Sequence, residues 1–228
     1  MKNIQSHVSR RWFLGTFTLS TVLAGCGENK LLQTISDAYK ISFLEQKGPH
    51  ISRAVINNLP YASITAKIGK GPRGLLVLWK KDRRDLHWIS VDSVVIVTRL
   101  GRVVKTSGIP EEIRSTYNTQ PDPVGLGLHK NSHYLSYSRE IDLIKTDKNL
   151  KTLKINSNFS FARKETLKIV EIDFDTILVR EHCQAKTINW EFENLYWVDP
   201  ANGFVWKSIQ HIARSFPPVV IEVLKPSI

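Results

Sequence analysis

Cysteine is nearly absent from this sequence: 228 residues hold two, Cys26 and Cys183. That scarcity excludes a disulfide-stapled scaffold, which needs several bridges around a small core. Acidic residues are missing from the first 27 positions, where Lys2, Arg10 and Arg11 stand unopposed. A long apolar run is missing there too. The greasy stretch at 12–24 is diluted by Gly, Thr and Ser, and it falls short of the roughly 20 apolar residues that a membrane-spanning helix requires. There is no Gly-x-Ser-x-Gly elbow, phosphate loop or dinucleotide fingerprint, so none of the chemistries those motifs carry is indicated.

What the N-terminus does contain has the parts of an export signal: a basic start, a short apolar middle and small residues before a cysteine. Leu23-Ala24-Gly25-Cys26 resembles the bacterial lipobox. That resemblance implies cleavage between Gly25 and Cys26, a thioether-linked diacylglycerol on Cys26 and a further acyl chain on the new amino group. Acyl chains contribute about 0.8 kcal/mol per buried CH₂, so two or three hold a protein on a bilayer durably. Ser9-Arg10-Arg11-Trp12-Phe13-Leu14 also resembles the twin-arginine export pattern, although any basic n-region would contain such residues. The general secretory and twin-arginine routes both fit.

Removing residues 1–25 leaves 203, takes away Lys2, Arg10 and Arg11, and lowers the formal charge by three, from +11 to +8. The expected organisation is a signal peptide at 1–25, a lipidated tether with an amphipathic helix at 26–50, and a single domain at 51–228. For an exported protein of this charge, nucleic acid is not the expected partner. The membrane, through the lipid anchor, and acidic polysaccharide, lipid head groups or acidic protein surfaces are. With Cys26 lipidated, Cys183 has no partner for a disulfide. The alternation of Ile177, Val179, Glu181 and Cys183 against Leu178, Arg180 and His182 places it as a small core residue on a strand.

Helical spacing of Leu32, Ile35 and Tyr39 predicts one amphipathic helix over 29–44. From 61 onward the period is two, and strands are predicted at 61–68, 75–79, 86–90, 94–98, 102–106, 133–144, 152–158, 160–168, 177–183, 189–198, 204–212 and 219–224, with one at 167–173 bent out of its predecessor. Residues 80–85 form a charged hairpin tip. A two-residue turn at Leu100-Gly101 would force Leu100 to positive φ, at a cost of ~1 kcal/mol or more, so a longer turn is expected. Residues 107–131, with Pro110, Pro121 and Pro123, Gly125 and Gly127, and a possible helical turn at 111–117, read as a long ordered loop. The fold class is mainly β: an antiparallel β sandwich, or a wide, partly open barrel, with one N-terminal helix.

No catalytic, cofactor-binding or metal set stands out. His129 and His133 are four apart in a Gly/Pro loop, where that spacing does not converge. Glu191 with Glu193, and Asp173 with Asp175, read as a solvated face and a turn, since a carboxylate pair cleaves glycosides only across a cleft. Trp190, Phe192 and Tyr196 fall on one face of their strand and Trp197 on the other, with Trp206 on the return strand. They form either a core stripe, the more common role, or a glycan platform. The basic stretches 80–84 and 145–154 read as solvated tips able to attract an acidic polymer at short range.

Residues 58–79 (NLPYASITAKIGKGPRGLLVLW), 88–110 (WISVDSVVIVTRLGRVVKTSGIP) and 196–212 (YWVDPANGFVWKSIQHI) resemble the YjbF-type lipoprotein family. That family is encoded beside capsule and exopolysaccharide genes in Gram-negative bacteria. Leu100 departs from the Asn expected before Gly101-Arg102, and the paired arginines depart at the start. The resemblance implies a β-rich periplasmic domain on an outer-membrane lipid anchor that assists polysaccharide production or secretion as a non-catalytic binding or assembly component, with acidic polysaccharide or polysaccharide export proteins as partners. It supplies no catalytic residues and no cofactor. Gly27, rather than Asp, follows Cys26, which also fits outer-membrane residence. Two other classes remain: a lipid or lipoprotein carrier with a chaperone-like β domain, which needs an apolar concave face, and a glycan-modifying enzyme, which needs two facing carboxylates.

Overall fold

The computed structural model describes residues 52–119, 121–126, 136–145 and 147–227. The predicted helix at 29–44, and with it the signal and tether, lies outside these residues. After a short helix, α1 (Arg53–Asn58), come twelve strands: β1 (Ser63–Ile68), β2 (Arg73–Asp82), β3 (Asp85–Ile89), β4 (Val95–Arg99), β5 (Arg102–Ser107), β6 (Glu111–Tyr117), β7 (Ser136–Lys145), β8 (Leu150–Ile169), β9 (Ile172–Ala185), β10 (Trp190–Val198), β11 (Val205–Gln210) and β12 (Val219–Lys225). They form one antiparallel sheet in the order β5-β4-β3-β2-β1-β12-β11-β10-β9-β8-β7-β6. Each strand but β6 therefore pairs with the one before it in the chain, and β12 returns to pair with β1.

The two ends of this order, β5 and β6, meet without a regular ladder. The Ile113 N–H donates to Thr106 Oγ1 at 2.9 Å, and the Thr116 hydroxyl donates to the Val104 carbonyl at 2.8 Å. The sheet is thus a nearly closed barrel with one side-chain-bridged seam. Of the two expected architectures the barrel is the one formed, and it leaves little edge free for pairing with another chain.

Side-chain alternation decides what lines the interior. Ile64, Leu76, Trp88, Ile96, Ile155, Phe192 and Ile221 point inward and pack into one buried cluster. The opposite faces of β1, β2, β10 and β12 are covered as well. Ile56 and Leu59 of the α1 segment, with Leu167, Ile169 and Leu178 from the long β8–β9 hairpin, enclose Leu75, Trp197 and Leu224. Ser52 caps α1, its hydroxyl accepting from the Val55 N–H at 3.4 Å. Arg53 ties the helix down by donating to the carbonyls of Leu224 (2.8 Å), Ile169 (3.1 Å) and Val170 (3.3 Å).

Several expectations need correction. The segment expected as a possible helical turn inside a long loop is strand β6, which lies along the seam and buries only Ile113 fully. The strands expected at 152–158 and 160–168 are one 20-residue strand, β8. The strand expected at 167–173 is a hairpin, with Val170 (φ 39°) and Glu171 (φ 68°) as its two turn residues and Ile169 opposite Ile172. The tip expected over 80–85 narrows to Arg83-Arg84, because β2 continues to Asp82 and pairs with Asp85. At Leu100-Gly101 the turn has only two residues, at φ 51° and φ 93°, with Arg99 opposite Arg102. Tertiary packing outweighs the local cost there: a Cβ on Gly101 would lie 2.6 Å from Val205, and Gln210 Nε2 donates to the Gly101 carbonyl at 2.8 Å.

Candidate functional site

Strand direction puts one set of turns at the same barrel end. β1 begins there and β12 finishes there, as the pairing of Ser63 with Lys225 records. The β2–β3, β4–β5, β8–β9 and β10–β11 turns lie at this end too, as does the chain's arrival from residue 52. A cavity of about 610 Å³ opens here into the barrel. Inward-facing Ile64, Leu86, Trp88, Ile221 and Val223 form its wall, and Arg83, Arg84, Leu100 and Phe204 stand at its mouth. The volume falls within the roughly 300–1,000 Å³ of small-molecule sites. It is an apolar concave surface of the kind a lipid carrier needs.

Beside this cavity the barrel interior holds charge. The Glu181 carboxylate, fully buried, accepts from Arg139 Nη1 (2.7 Å) and Ser157 Oγ (2.9 Å) on one oxygen. On the other it accepts from Arg102 Nη1 (2.9 Å), Asn194 Nδ2 (2.9 Å) and Tyr196 Oη (3.1 Å). Arg102, 2% exposed, also donates from Nε and Nη2 to Asp122. Two guanidinium groups thus face two carboxylates, and the Tyr137 ring lies 5.4 Å from the Arg102 guanidinium carbon and 5.9 Å from that of Arg139. Burial alone would raise the Glu181 pKa, but Arg102 and Arg139 together outweigh it and hold the carboxyl well below the usual range. An acid that stays ionised and already accepts five hydrogen bonds has no proton to give a leaving group. The arrangement is a structural clasp joining β5, β7, β8, β9 and β10. A smaller cavity of about 140 Å³, lined by Arg102, Asp122 and Tyr137, adjoins it and shares Arg84 and Leu100 with the larger one.

The other predicted residues divide clearly. Gly25, Cys26, His129 and His133 lie outside the described residues. Cys183 is buried, with its thiol pushed up to about 12 chiefly by burial, and sits 3.8 Å from Arg139 Nη2 as a core residue. Glu191 accepts from Gln184, and Glu193 lies 3.9 Å from Arg180, both on the outer face of β10. Asp175 takes the Thr166 hydroxyl, next to the β8–β9 hairpin. Neither acidic pair faces a cleft. Trp190 and Phe192 stack inside at 3.9 Å, Tyr196 joins the clasp, and Trp197 is buried beneath the outer cover, so the aromatic stripe is core. Of the basic stretches, 80–84 reaches the mouth, and 145–154 lies at the opposite barrel end. The clasp itself was not anticipated. Its signal was present, since alternation set Glu181 in register with Val179 and Cys183 on an inward face.

A sequence model of the family described as group 4 capsule polysaccharide lipoprotein gfcB, YjbF matches residues 36–224. The chain belongs to this family. Among its relatives, the uncharacterized lipoprotein GfcB of Escherichia coli (strain K12) is 28% identical over 207 residues, covering 90% of this chain and 94% of that protein. The uncharacterized lipoprotein YjbF of the same organism is 24% identical over 173 residues, 75% of this chain and 78% of that one. The crystal structure of the hypothetical lipoprotein YmcC from Escherichia coli (K12) shares the fold with a TM-score of 0.71 at 26% identity, covering 84% of this chain and 96% of that one. The barrel is therefore the architecture of a YjbF-family lipoprotein, and capsule polysaccharide enters through the family's description.

Proposed function

We infer that this chain is an outer-membrane lipoprotein, anchored through Cys26 with its barrel in the periplasm, which assists capsule or exopolysaccharide production by binding rather than catalysis. The observation that carries the reading is the barrel cavity: a half-open, largely apolar interior with its mouth at the barrel end that the chain enters from residue 52, on a chain of a capsule-polysaccharide lipoprotein family. The carboxylates support it by their placement, since Glu191, Glu193, Asp173 and Asp175 are directed away from the cavity and Glu181 is locked in its clasp. Gly27 in place of Asp after Cys26 supports sorting to the outer membrane.

Deleting the gene and re-introducing variants tests this. Cys26→Ser is expected to lose fatty-acid labelling, leave the membrane fraction and fail to restore surface polysaccharide. The quadruple variant Asp173→Asn/Asp175→Asn/Glu191→Gln/Glu193→Gln is expected to restore it. A membrane-bound, acylated Cys26→Ser protein would overturn the anchor. Loss of polysaccharide with the folded quadruple variant would overturn the non-catalytic role.

A further inference from the structure

Three observations at the cavity mouth ask what the barrel holds. The first is size and chemistry. At about 610 Å³ the space equals roughly twenty waters at their liquid volume of ~30 Å³ each. Ile64, Leu86, Trp88, Ile221 and Val223 give it an apolar wall, and Lys81, Arg83, Arg84, Asn202 and Lys207 add polar groups to the lining. A mostly apolar space with charged groups in its lining suits a ligand that has a hydrocarbon tail and a charged head.

The second is charge. Most arginines of the barrel are paired: Arg73 with Glu222, Arg99 with Asp85, and Arg102 and Arg139 within the clasp. Lys207, near the mouth, is held by Glu222 at 3.0 Å. Arg83 and Arg84 have no ion-pair partner among the described residues, and both line the cavity from the exposed β2–β3 turn. Two uncompensated guanidinium groups above an apolar chamber complement an anionic head on an apolar tail.

The third is strain. Leu100 lies at φ 51° and is 43% exposed on the lip of the cavity. Leucine in the left-handed region costs roughly 1–2 kcal/mol, where Asn or Gly would sit at ease. An exposed leucine in that conformation gains little from the core, so its apolar side chain at the mouth points to a ligand that it touches.

We propose that the barrel cavity receives one acyl chain of an anionic phospholipid, whose phosphate rests on Arg83 and Arg84 while Leu100 covers the chain's upper end. The anchor's own diacylglycerol carries no charge to match these arginines, so a separate lipid is the occupant. The lipid is within reach, because the chain arrives from residue 52 at the barrel end where the mouth opens. Lys225 Nζ fixes that arrival by donating to the Asn57 and Leu59 carbonyls. The proposal deepens the binding reading above and rests on it.

The test uses the full-length protein reconstituted into phosphatidylcholine vesicles. These contain a small fraction of phosphatidic acid bearing a diazirine midway along one acyl chain. After irradiation, mass spectrometry of the peptides is expected to find label on inward residues such as Trp88, Ile221 and Val223. Arg83→Ala/Arg84→Ala, confined to an exposed turn, is expected to cut that labelling by roughly fivefold per charge removed. Leu100→Asn is expected to lower it while keeping the fold. Equal interior labelling by a phosphatidylcholine probe, unaffected by the arginine substitutions, would overturn the anionic specificity. Label restricted to the barrel exterior would overturn the site. A rise in interior labelling with Cys26→Ser would make the protein's own anchor the occupant and overturn the separate lipid. Failure here would leave the polysaccharide phenotype of the deletion intact, which separates the two readings.

Discussion

At the scale of single residues, Glu181 concentrates the most interaction in the least space. Breaking a buried ion pair by removing one partner costs roughly 3–5 kcal/mol, because the remaining charge stays desolvated. Glu181→Gln leaves Arg102 with Asp122 but takes from Arg139 its carboxylate partner. The variant should therefore unfold at markedly lower denaturant at neutral pH, by about that energy. The sign with pH follows from the depressed carboxyl. The ion pairing stabilises fully above the ordinary carboxylate value of 4.5 and is lost as pH falls through the lower value in the folded protein. Wild type and Glu181→Gln should thus converge in stability below about pH 4.5. A gap that stays constant from pH 7 into that acid range would show that the clasp does not act through ionised Glu181. Cys183, beside this clasp, was legible as a core residue because its neighbours alternate. Glu181 lay in the same alternation, but a glutamate in an inward register is readable as buried only once its two arginines are placed, and these come from β5 and β7, 79 and 42 residues away.

At the scale of elements, the strands written as clean alternation were legible: β1, β4, β5, β10 and β12 fall within one or two residues of expectation. Turns carrying Gly or Pro, such as that at Asp199–Gly203, were legible too, with the Asp199 N–H donating to the Phe204 carbonyl at 2.8 Å. The misreadings share a cause. Val170-Glu171, Arg83-Arg84 and Leu100-Gly101 make two-residue turns with at least one non-glycine residue at positive φ, conformations that sequence normally announces with Asn or Gly. Strand β6 was hidden because it meets its neighbour β5 through two threonine hydroxyls, Thr106 of β5 accepting and its own Thr116 donating, which leaves it a mixed polar pattern. The Leu100 turn allows a direct check. Leu100→Asn should relieve about 1 kcal/mol of backbone strain and raise Tm by about 2–4 °C in a domain of this size. A lowered Tm would mean that the leucine side chain contributes to the fold more than its conformation costs.

For the whole molecule, closure rests on the last strand. Ten neighbouring pairs in the sheet are consecutive in the chain, whereas β1 and β12 join residues about as far apart as the domain permits. Removing residues 219–228 would bare the edges of β1 and β11, open the cavity along its length and strip Val219 and Ile221 from the core. Such a truncation is expected to be insoluble or to lose its cooperative unfolding transition, as circular dichroism against temperature would record. A soluble, cooperatively unfolding product would show that the meander is stable without closing. The barrel was half legible at this scale: strand number and alternation indicated a sheet that curls, but pairing of the first strand with the last is long-range information that no local pattern carries.

The attachment of α1 has a mechanical consequence. Arg53 grips carbonyls of the β8–β9 hairpin and of β12 at once, and Lys225 holds carbonyls at the end of the helix, those of Asn57 and Leu59. Tension arriving along the chain from the N-terminal side therefore meets a strap laid across the barrel's outer wall before it reaches β1. The load divides between two strands and is borne as shear across several hydrogen bonds together, instead of peeling β1 away one bond at a time. A barrel moored by such a strap can be tugged by a drifting membrane without being unzipped.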